Sequence, residues 1–379
     1  MAGIYIHIPF CKKRCIYCDF FSTTQGEKKR MYVDALCKEL SLRKDYLKGE
    51  QIGTIYFGGG TPSQLSEEEL RALLETIFRL FPVKEDAEIT FEANPDDLSV
   101  DYLQVLRTLP INRISMGVQT FNDRKLQMLN RRHTAQQAYE AVLRCQQAGF
   151  TNISIDLIYG LPGESMEEWK NDLATAFSLP ISHLSAYHLM YEPGTPLWNL
   201  WEKHQIHAID EELSTAFFEE LIRKTREVGF EQYEISNFSL PGFHSRHNSS
   251  YWSGVPYLGC GASAHSYDGV SRQWNIANLD AYIQGVSAGT LSYEREDLDL
   301  GTRYNEYVMT HLRTAEGFSP TQLQELFGDQ FYKYAMEIAE KHLKTNHLEW
   351  KDDAIKLSHQ GIFISDGIMS DFMWISEED

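Results

Sequence analysis

Apolar residues along the chain gather in short β-rich runs: Ile4–Ile8, Thr54–Phe57, Glu88–Phe91, Arg113–Val118, Asn152–Ile158 and His183–Leu189. Each of the first five precedes a stretch whose apolar positions recur every three or four residues, the period of one helical face. Ser66 and Glu69 have the spacing of a capping box, and Leu70, Leu73, Leu74, Ile77, Phe78 and Phe81 then share one face. The same opening recurs at Thr134 with Gln137, ahead of Ala138, Ala141, Val142 and Cys145, and that helix stops at Gly149. It recurs again at Ser165 with Glu168, before Trp169, Leu173 and Phe177. Strand and helix in regular alternation predict right-handed crossovers and a parallel sheet covered by helices. Six units fall short of the eight that close a full barrel. The expected fold class is therefore α/β, an open partial (β/α)6 TIM-like barrel, with a doubly wound sheet as the structural alternative.

Past Leu200 the rhythm changes. A helix is expected over Asp210–Val228, ended by Gly229, followed by a Gly-, Ser- and aromatic-rich stretch from Tyr233 to Trp274. From about Asp297 helical patterns dominate, at Arg303–Leu312, Pro320–Phe327 and Tyr332–Leu343, with a hairpin-like tail at Gly361–Gly367. The expected organisation is a partial barrel over 1–200, a connector over 201–296, and a smaller helix-rich α+β domain over 297–379 with a winged-helix-like look.

Charge narrows the partners. With 35 basic and 54 acidic residues the formal charge is −19, which repels a phosphate backbone, so no nucleic-acid partner is expected. The basic run Lys28-Lys29-Arg30 reads as a solvated first helical turn. No apolar run approaches the roughly 20 residues of a membrane span, and the first residues lack the pattern of a secretory leader, so the expected location is the cytosol. Thiols stay reduced there, which turns attention to how the six cysteines are spaced. Cys37 and Cys145 fall inside helical patterns and read as core fillers.

Cys11, Cys15 and Cys18 are different: they stand C-x3-C-x2-C directly after the first strand. Three thiolates on a short loop suit three corners of a cubane iron–sulfur cluster and leave the fourth iron open. Structural zinc is the alternative; it needs a fourth ligand, such as His7, and usually takes its ligands as two separated pairs.

In a parallel β/α architecture functional residues collect where strands end. Gly58-Gly59-Gly60-Thr61-Pro62 follows the second run and lets a ligand approach the backbone, without the Gly-Lys-Ser/Thr ending of a phosphate loop. Glu92 follows the third run, where a carboxylate could accept both hydroxyls of a ribose. Gln119 follows the fourth, Arg131 comes one segment later, and Asp156 opens Asp156-Leu157-Ile158-Tyr159-Gly160-Leu161-Pro162.

The cysteine motif, with an aromatic at its penultimate position, resembles that of the radical SAM superfamily. The strings Ile6-His7-Ile8-Pro9-Phe10-Cys11, Gly58–Pro62, Gly117-Val118-Gln119-Thr120-Phe121 and Asp156–Pro162 narrow the resemblance to the branch that resembles oxygen-independent coproporphyrinogen III oxidase. The resemblance implies a 4Fe-4S cluster on the three cysteines. It also implies S-adenosylmethionine, whose contacts would be Tyr5, Gly59, Gly60, Thr61, Glu92, Gln119, Arg131 and Asp156.

Two features separate the members of this branch. The oxidases carry another cysteine two positions after the third ligand, where this chain has Phe20. Arg246-His247-Asn248-Ser249-Ser250-Tyr251-Trp252 resembles the H-N-x-x-Y-W motif of the HemW-type heme chaperones. A neutral imidazole is a common axial ligand of heme iron, and Tyr251 and Trp252 offer flat apolar faces, so His247, Asn248, Tyr251 and Trp252 are the expected heme contacts. Cys260 and His265 are candidates for a second axial position. The resemblance implies a carrier that delivers heme to acceptor hemoproteins, with respiratory-chain proteins among them. The alternative is radical oxidative decarboxylation of coproporphyrinogen III, against which Phe20 argues.

Overall fold

The computed structural model describes residues 1–375. Its centre is built from β1 (Ala2–Ile8), β2 (Ile52–Gly59), β3 (Val83–Ala93), β4 (Arg113–Gln119), β5 (Asn152–Tyr159) and β6 (His183–His188), which pair in chain order and all in parallel. Helices Lys29–Leu42, Glu67–Leu80, Val100–Arg107, Ala135–Gln147 and Met166–Ser178 return the chain between them. The capping boxes at Ser66, Thr134 and Ser165 form with both of their hydrogen bonds. Alternation along the strands sorts the side chains. Ile4, Ile6 and Ile8 of β1, Ile55 and Phe57 of β2, Ile114, Met116 and Val118 of β4, and Ile153, Ile155 and Leu157 of β5 are all fully buried beneath the helices. Each such side chain contributes about 1.5–3 kcal/mol. The intervening positions carry polar residues, among them Tyr56, Glu92, Arg113, Ser115, Asp156, Ser185 and Tyr187, and these face a common interior.

β1 and β6 do not pair with each other, so the (β/α)6 unit is open as expected. The sheet nevertheless runs on at both edges. β7 (Glu231–Gln232) and β8 (Asn237–Ser239) extend it past β6, antiparallel. On the other side β9 (Tyr257–Cys260) lies parallel to β1, and β10 (His265–Tyr267), β11 (Ser271–Asn275) and β12 (Tyr293–Asp297) follow in antiparallel order. The segment read as a connector over 201–296 therefore supplies both edges of a 12-stranded sheet, and one apolar core runs from Ala2 to Val286.

A second core, from Tyr304 to Phe372, belongs to helices Leu300–Leu312, Pro320–Lys344 and Ser365–Asp371 with the hairpin of β13 (Leu348–Lys351) and β14 (Ala354–Leu357). The long helix breaks at Gly328, where φ is 82°, matching the two helical patterns read there. The tail needs correction: Gly361–Ile364 is a 3-10 turn leading into a helix, and the hairpin lies earlier, turning at Asp352. Gly361 packs so tightly on the His347 carbonyl that a Cβ there would stand 1.9 Å from its oxygen. Ile362 and Phe363 meanwhile fold against the main core instead of alternating along a strand. Among the described residues no helix is long and apolar enough to cross a membrane.

Candidate functional site

The cysteine loop leaves the carboxyl end of β1 and is tied down on every side. Its base is a clip: the Cys11 amide donates to the Thr23 carbonyl at 2.8 Å, and the Thr23 amide donates to that of Pro9 at 2.7 Å. Its middle is held by Ile16, whose amide donates to Leu129 O and whose carbonyl accepts from the Leu197 amide. Asn130 donates to the Arg14 carbonyl at 2.7 Å. Lys12 reaches across to Asp97, a buried carboxylate that also accepts from Ser63, Gln64 and Arg132. Cys11, Cys15 and Cys18 are free thiols, each partly exposed into one cavity. Thr61 donates to Cys11 Sγ at 3.4 Å and Arg131 to Cys15 Sγ at 3.3 Å. Burial pushes the Cys11 thiol up and that of Cys18 to about 11.

The three free thiols line one cavity, as the corners of an iron–sulfur cluster require. Zinc would need its ligand atoms within about 2.0–2.3 Å of one point. Three thiols around one mouth, backed by an arginine, suit a larger anionic group whose corners take one thiolate each.

The cavity has a volume of about 450 Å³ and descends from the cysteine loop into the barrel. Seven of the eight residues expected to contact S-adenosylmethionine line it: Gly59, Gly60, Thr61, Glu92, Gln119, Arg131 and Asp156. Tyr5 does not; it stands behind the wall, 3.1 Å from His7 Nδ1 and stacked near Tyr56. At Gly60 a Cβ would meet the Pro9 carbonyl at 2.7 Å, so only glycine lets the second strand's loop touch the cysteine loop. Gln119 ends β4 at a φ of 71°, a strained conformation for a residue with a side chain, at the point where β4 meets the cavity.

Two carboxylates lie inside. Burial raises Glu92 to about 7, against the pull of the Tyr56 hydroxyl, which donates to it at 2.6 Å. Burial raises Asp156 to about 6, against hydrogen bonds from Ser185 and Ser115 and the charge of Arg113. Arg131 spans the wall, donating to Asn94 at 2.8 Å besides Cys15. Sequence reasoning missed Tyr56, Asn94, Arg113, Ser115, Ser185, Tyr187 and His188, all of which line the cavity. The available clue was period-two polarity inside strands otherwise rich in Ile and Leu, as in Arg113-Ile114-Ser115.

The H-N-x-x-Y-W residues form a short helix, Arg246–Trp252, under the barrel floor. Glu88, at the floor end of β3, accepts from the Arg246 and His247 amides at 2.9 and 3.0 Å and so caps that helix. His247 does not stand open as a heme ligand here. It is 1% exposed, its Nδ1 meets the Thr54 hydroxyl at 2.8 Å, and its Nε2 meets the Tyr251 hydroxyl at 2.9 Å. Burial lowers its pKa to about 3, so the ring is neutral. Asn248 alone of the four reaches the cavity, from below. Trp252 lies under the Arg313 guanidinium at 5.0 Å, joining the floor to the C-terminal unit. Cys260 is fully buried in β9, and His265 stacks on Trp274 outside the cavity.

Residues 5–176 match the Radical SAM superfamily. The chain is 35% identical to the heme chaperone HemW of Bacillus subtilis (strain 168), over 98% of this chain and 99% of that one. It is 38% identical to the heme chaperone HemW of Escherichia coli (strain K12), over 69% of each. In fold it resembles the coproporphyrinogen III oxidase HemN from Escherichia coli, with a TM-score of 0.84 at 24% identity over 98% of this chain and 90% of the other. The open parallel barrel and the near full-length relationship agree: this chain belongs to the HemW family of the radical SAM superfamily.

Proposed function

We propose that the protein binds heme and delivers it to acceptor hemoproteins, using a 4Fe-4S cluster on Cys11, Cys15 and Cys18 and S-adenosylmethionine in the adjoining cavity. The observation that carries this reading is the meeting of three free thiols with Gly59, Gly60, Thr61, Glu92, Gln119, Arg131 and Asp156 around one cavity, in a chain co-linear with relatives named heme chaperones. A cluster there supplies an open iron and one-electron reduction. The chain's own residues do the rest. Glu92 receives the ribose hydroxyls, the Gly59–Thr61 backbone receives the amino group, and Arg131 and Asp156 balance charge across the lumen. Tyr5 acts from behind the wall, through His7 and Tyr56. Three free thiols suit a reducing compartment such as the cytosol.

His247, Asn248, Tyr251 and Trp252 enter this reading as the joint of the floor. His247 and Tyr251 lock the helix to β2, Trp252 ties it to Arg313, and Asn248 senses the cavity. Oxidative decarboxylation is the lesser reading, because Phe20 fills the position where the oxidases resembled here carry a further cysteine. The test is anaerobic: reconstituted protein is given hemin, an apo-hemoprotein acceptor, or coproporphyrinogen III with reductant and S-adenosylmethionine. Stoichiometric heme uptake and transfer, with no decarboxylated product, is the expected result. Turnover of coproporphyrinogen III without heme transfer overturns the proposal.

A further inference from the structure

Heme iron needs an imidazole that is free to bind, and the histidines around the barrel differ sharply in that respect. His247 has both ring nitrogens engaged, and so has His7, between Tyr5 and the Phe21 carbonyl. His183 is fully buried between Ser154 and Tyr233, and His133 is buried against the Val118 carbonyl. His188 is unlike these. It ends β6 at the carboxyl, cysteine-loop side of the barrel, is exposed, and lines the cavity. Its ring hydrogen-bonds only to the Leu189 backbone, which leaves one ring nitrogen without a partner among the described residues. The ring leans edge-on against Tyr159 at 5.3 Å and rests on Gly160, where a Cβ would stand 2.7 Å from Nε2. The missing side chain at Gly160 is what leaves the imidazole its space.

What surrounds His188 has the chemistry of a porphyrin. Phe20 and Met190 line the same cavity mouth with exposures of 64% and 65%, and Tyr187 is 43% exposed beside them. Large apolar side chains left this open at a site rim mark a ligand surface. Lys13 and Arg14 share the rim with Asp19 and Glu192, are exposed, and pair with no carboxylate among the described residues. In a chain of net charge −19, two unpaired cations beside an apolar patch suit a flat apolar ring that carries carboxylates. Size points the same way. With S-adenosylmethionine seated deep among Glu92, Gln119 and Asp156, a cavity of about 450 Å³ leaves its mouth as the place for a flat macrocycle.

We infer that His188 is an axial ligand of heme bound across the barrel mouth, with Phe20, Met190 and Tyr187 against the ring and Lys13 and Arg14 at its propionates. This rests on the heme-carrier reading above and assigns its ligand to a residue outside the H-N-x-x-Y-W motif. A heme so held has one edge open to solvent, which suits transfer to another protein.

The test uses the full-length, cluster-reconstituted protein titrated with hemin, followed by the Soret band and resonance Raman. Wild type is expected to show a histidine-ligated spectrum. His188→Gly should lose it and bind hemin about tenfold more weakly, and added imidazole should restore the wild-type spectrum. His247→Gln should keep the imidazole-ligated spectrum, as long as circular dichroism shows it folded. A wild-type spectrum in His188→Gly overturns the ligand assignment while leaving heme carriage intact. Failure of wild type to bind hemin overturns both.

Discussion

Nδ1 of His247 lies 2.8 Å from the Thr54 hydroxyl, a bond between residues 193 positions apart that fastens the floor helix to the inside of β2. Tyr251 closes on the other nitrogen, and the imidazole stacks on Tyr56 with ring centres 5.0 Å apart. Tyr56 in turn donates to Glu92. The most recognisable motif outside the cysteine loop is thus a structural joint that leads, through two aromatic rings, to the cavity wall.

Replacing His247 should therefore cost stability first. His247→Ala strands two buried hydroxyls and opens a hole, a loss of about 2–5 kcal/mol by denaturant melting, with the cysteine loop's iron content unchanged. The milder His247→Gln isolates its protonation. A histidine whose folded pKa is lowered to about 3 binds its proton more readily when unfolded, near 6.5. Its contribution is complete above about pH 6.5 and shrinks as pH falls toward 3, by up to about 1.4 kcal/mol per unit. The stability gap between wild type and His247→Gln should accordingly narrow from pH 7.5 to pH 5. A gap that stays constant contradicts the neutral buried imidazole.

Asp97 makes a separate prediction for the cysteine loop. It collects Lys12, Ser63, Gln64 and Arg132 at 2.6–3.1 Å, so Asp97→Ala frees the loop from the far wall, strips Lys12 of its carboxylate and leaves Arg132 with Asp96 alone. Lys12 is half exposed, which softens the loss to about 1–3 kcal/mol. The clearer readout is kinetic: iron release to a chelator should be markedly faster than from wild type, while hemin binding persists.

Much of this architecture could be read from the residues alone, for reasons visible element by element. The first six strands carry Ile, Leu, Val and Phe at every second position because helices cover them, and the hydroxyl–carboxylate or hydroxyl–amide pairs at Ser66, Thr134 and Ser165 mark helix starts by local chemistry. The edge strands escaped notice because β7 and β8 are two and three residues long and β12 is polar and exposed throughout. The apolar string Ile362-Phe363-Ile364 looked like a strand, yet close contact of Gly361 with the His347 backbone turns the chain at once. At the site, residues standing at strand ends were legible because topology fixes where strand ends go. Asn248 and Trp252 were recognised without their true surroundings, since only the fold brings them to the floor and to Arg313. His188 carried no motif at all.

Glu92 should set how S-adenosylmethionine binding follows pH. In the reading proposed above the ionised carboxylate accepts both ribose hydroxyls, and burial holds its pKa at about 7, so affinity should rise from pH 6 to pH 8 and then level off. Glu92→Gln should weaken binding about tenfold to a hundredfold and flatten that rise. Equilibrium dialysis of the reconstituted protein across this range gives the answer; an unchanged slope in the variant would transfer the effect to another group in the lumen.

The central claim is that Cys11, Cys15 and Cys18 hold an iron–sulfur cluster at the mouth of this cavity. Anaerobic reconstitution with iron and sulfide, followed by elemental analysis of wild type and of single Cys→Ala variants, tests it most directly. About four irons and four sulfides per wild-type chain are expected, falling to near none when any of the three thiols is removed. Uptake of a single zinc ion, with no iron or sulfide retained, would contradict the account.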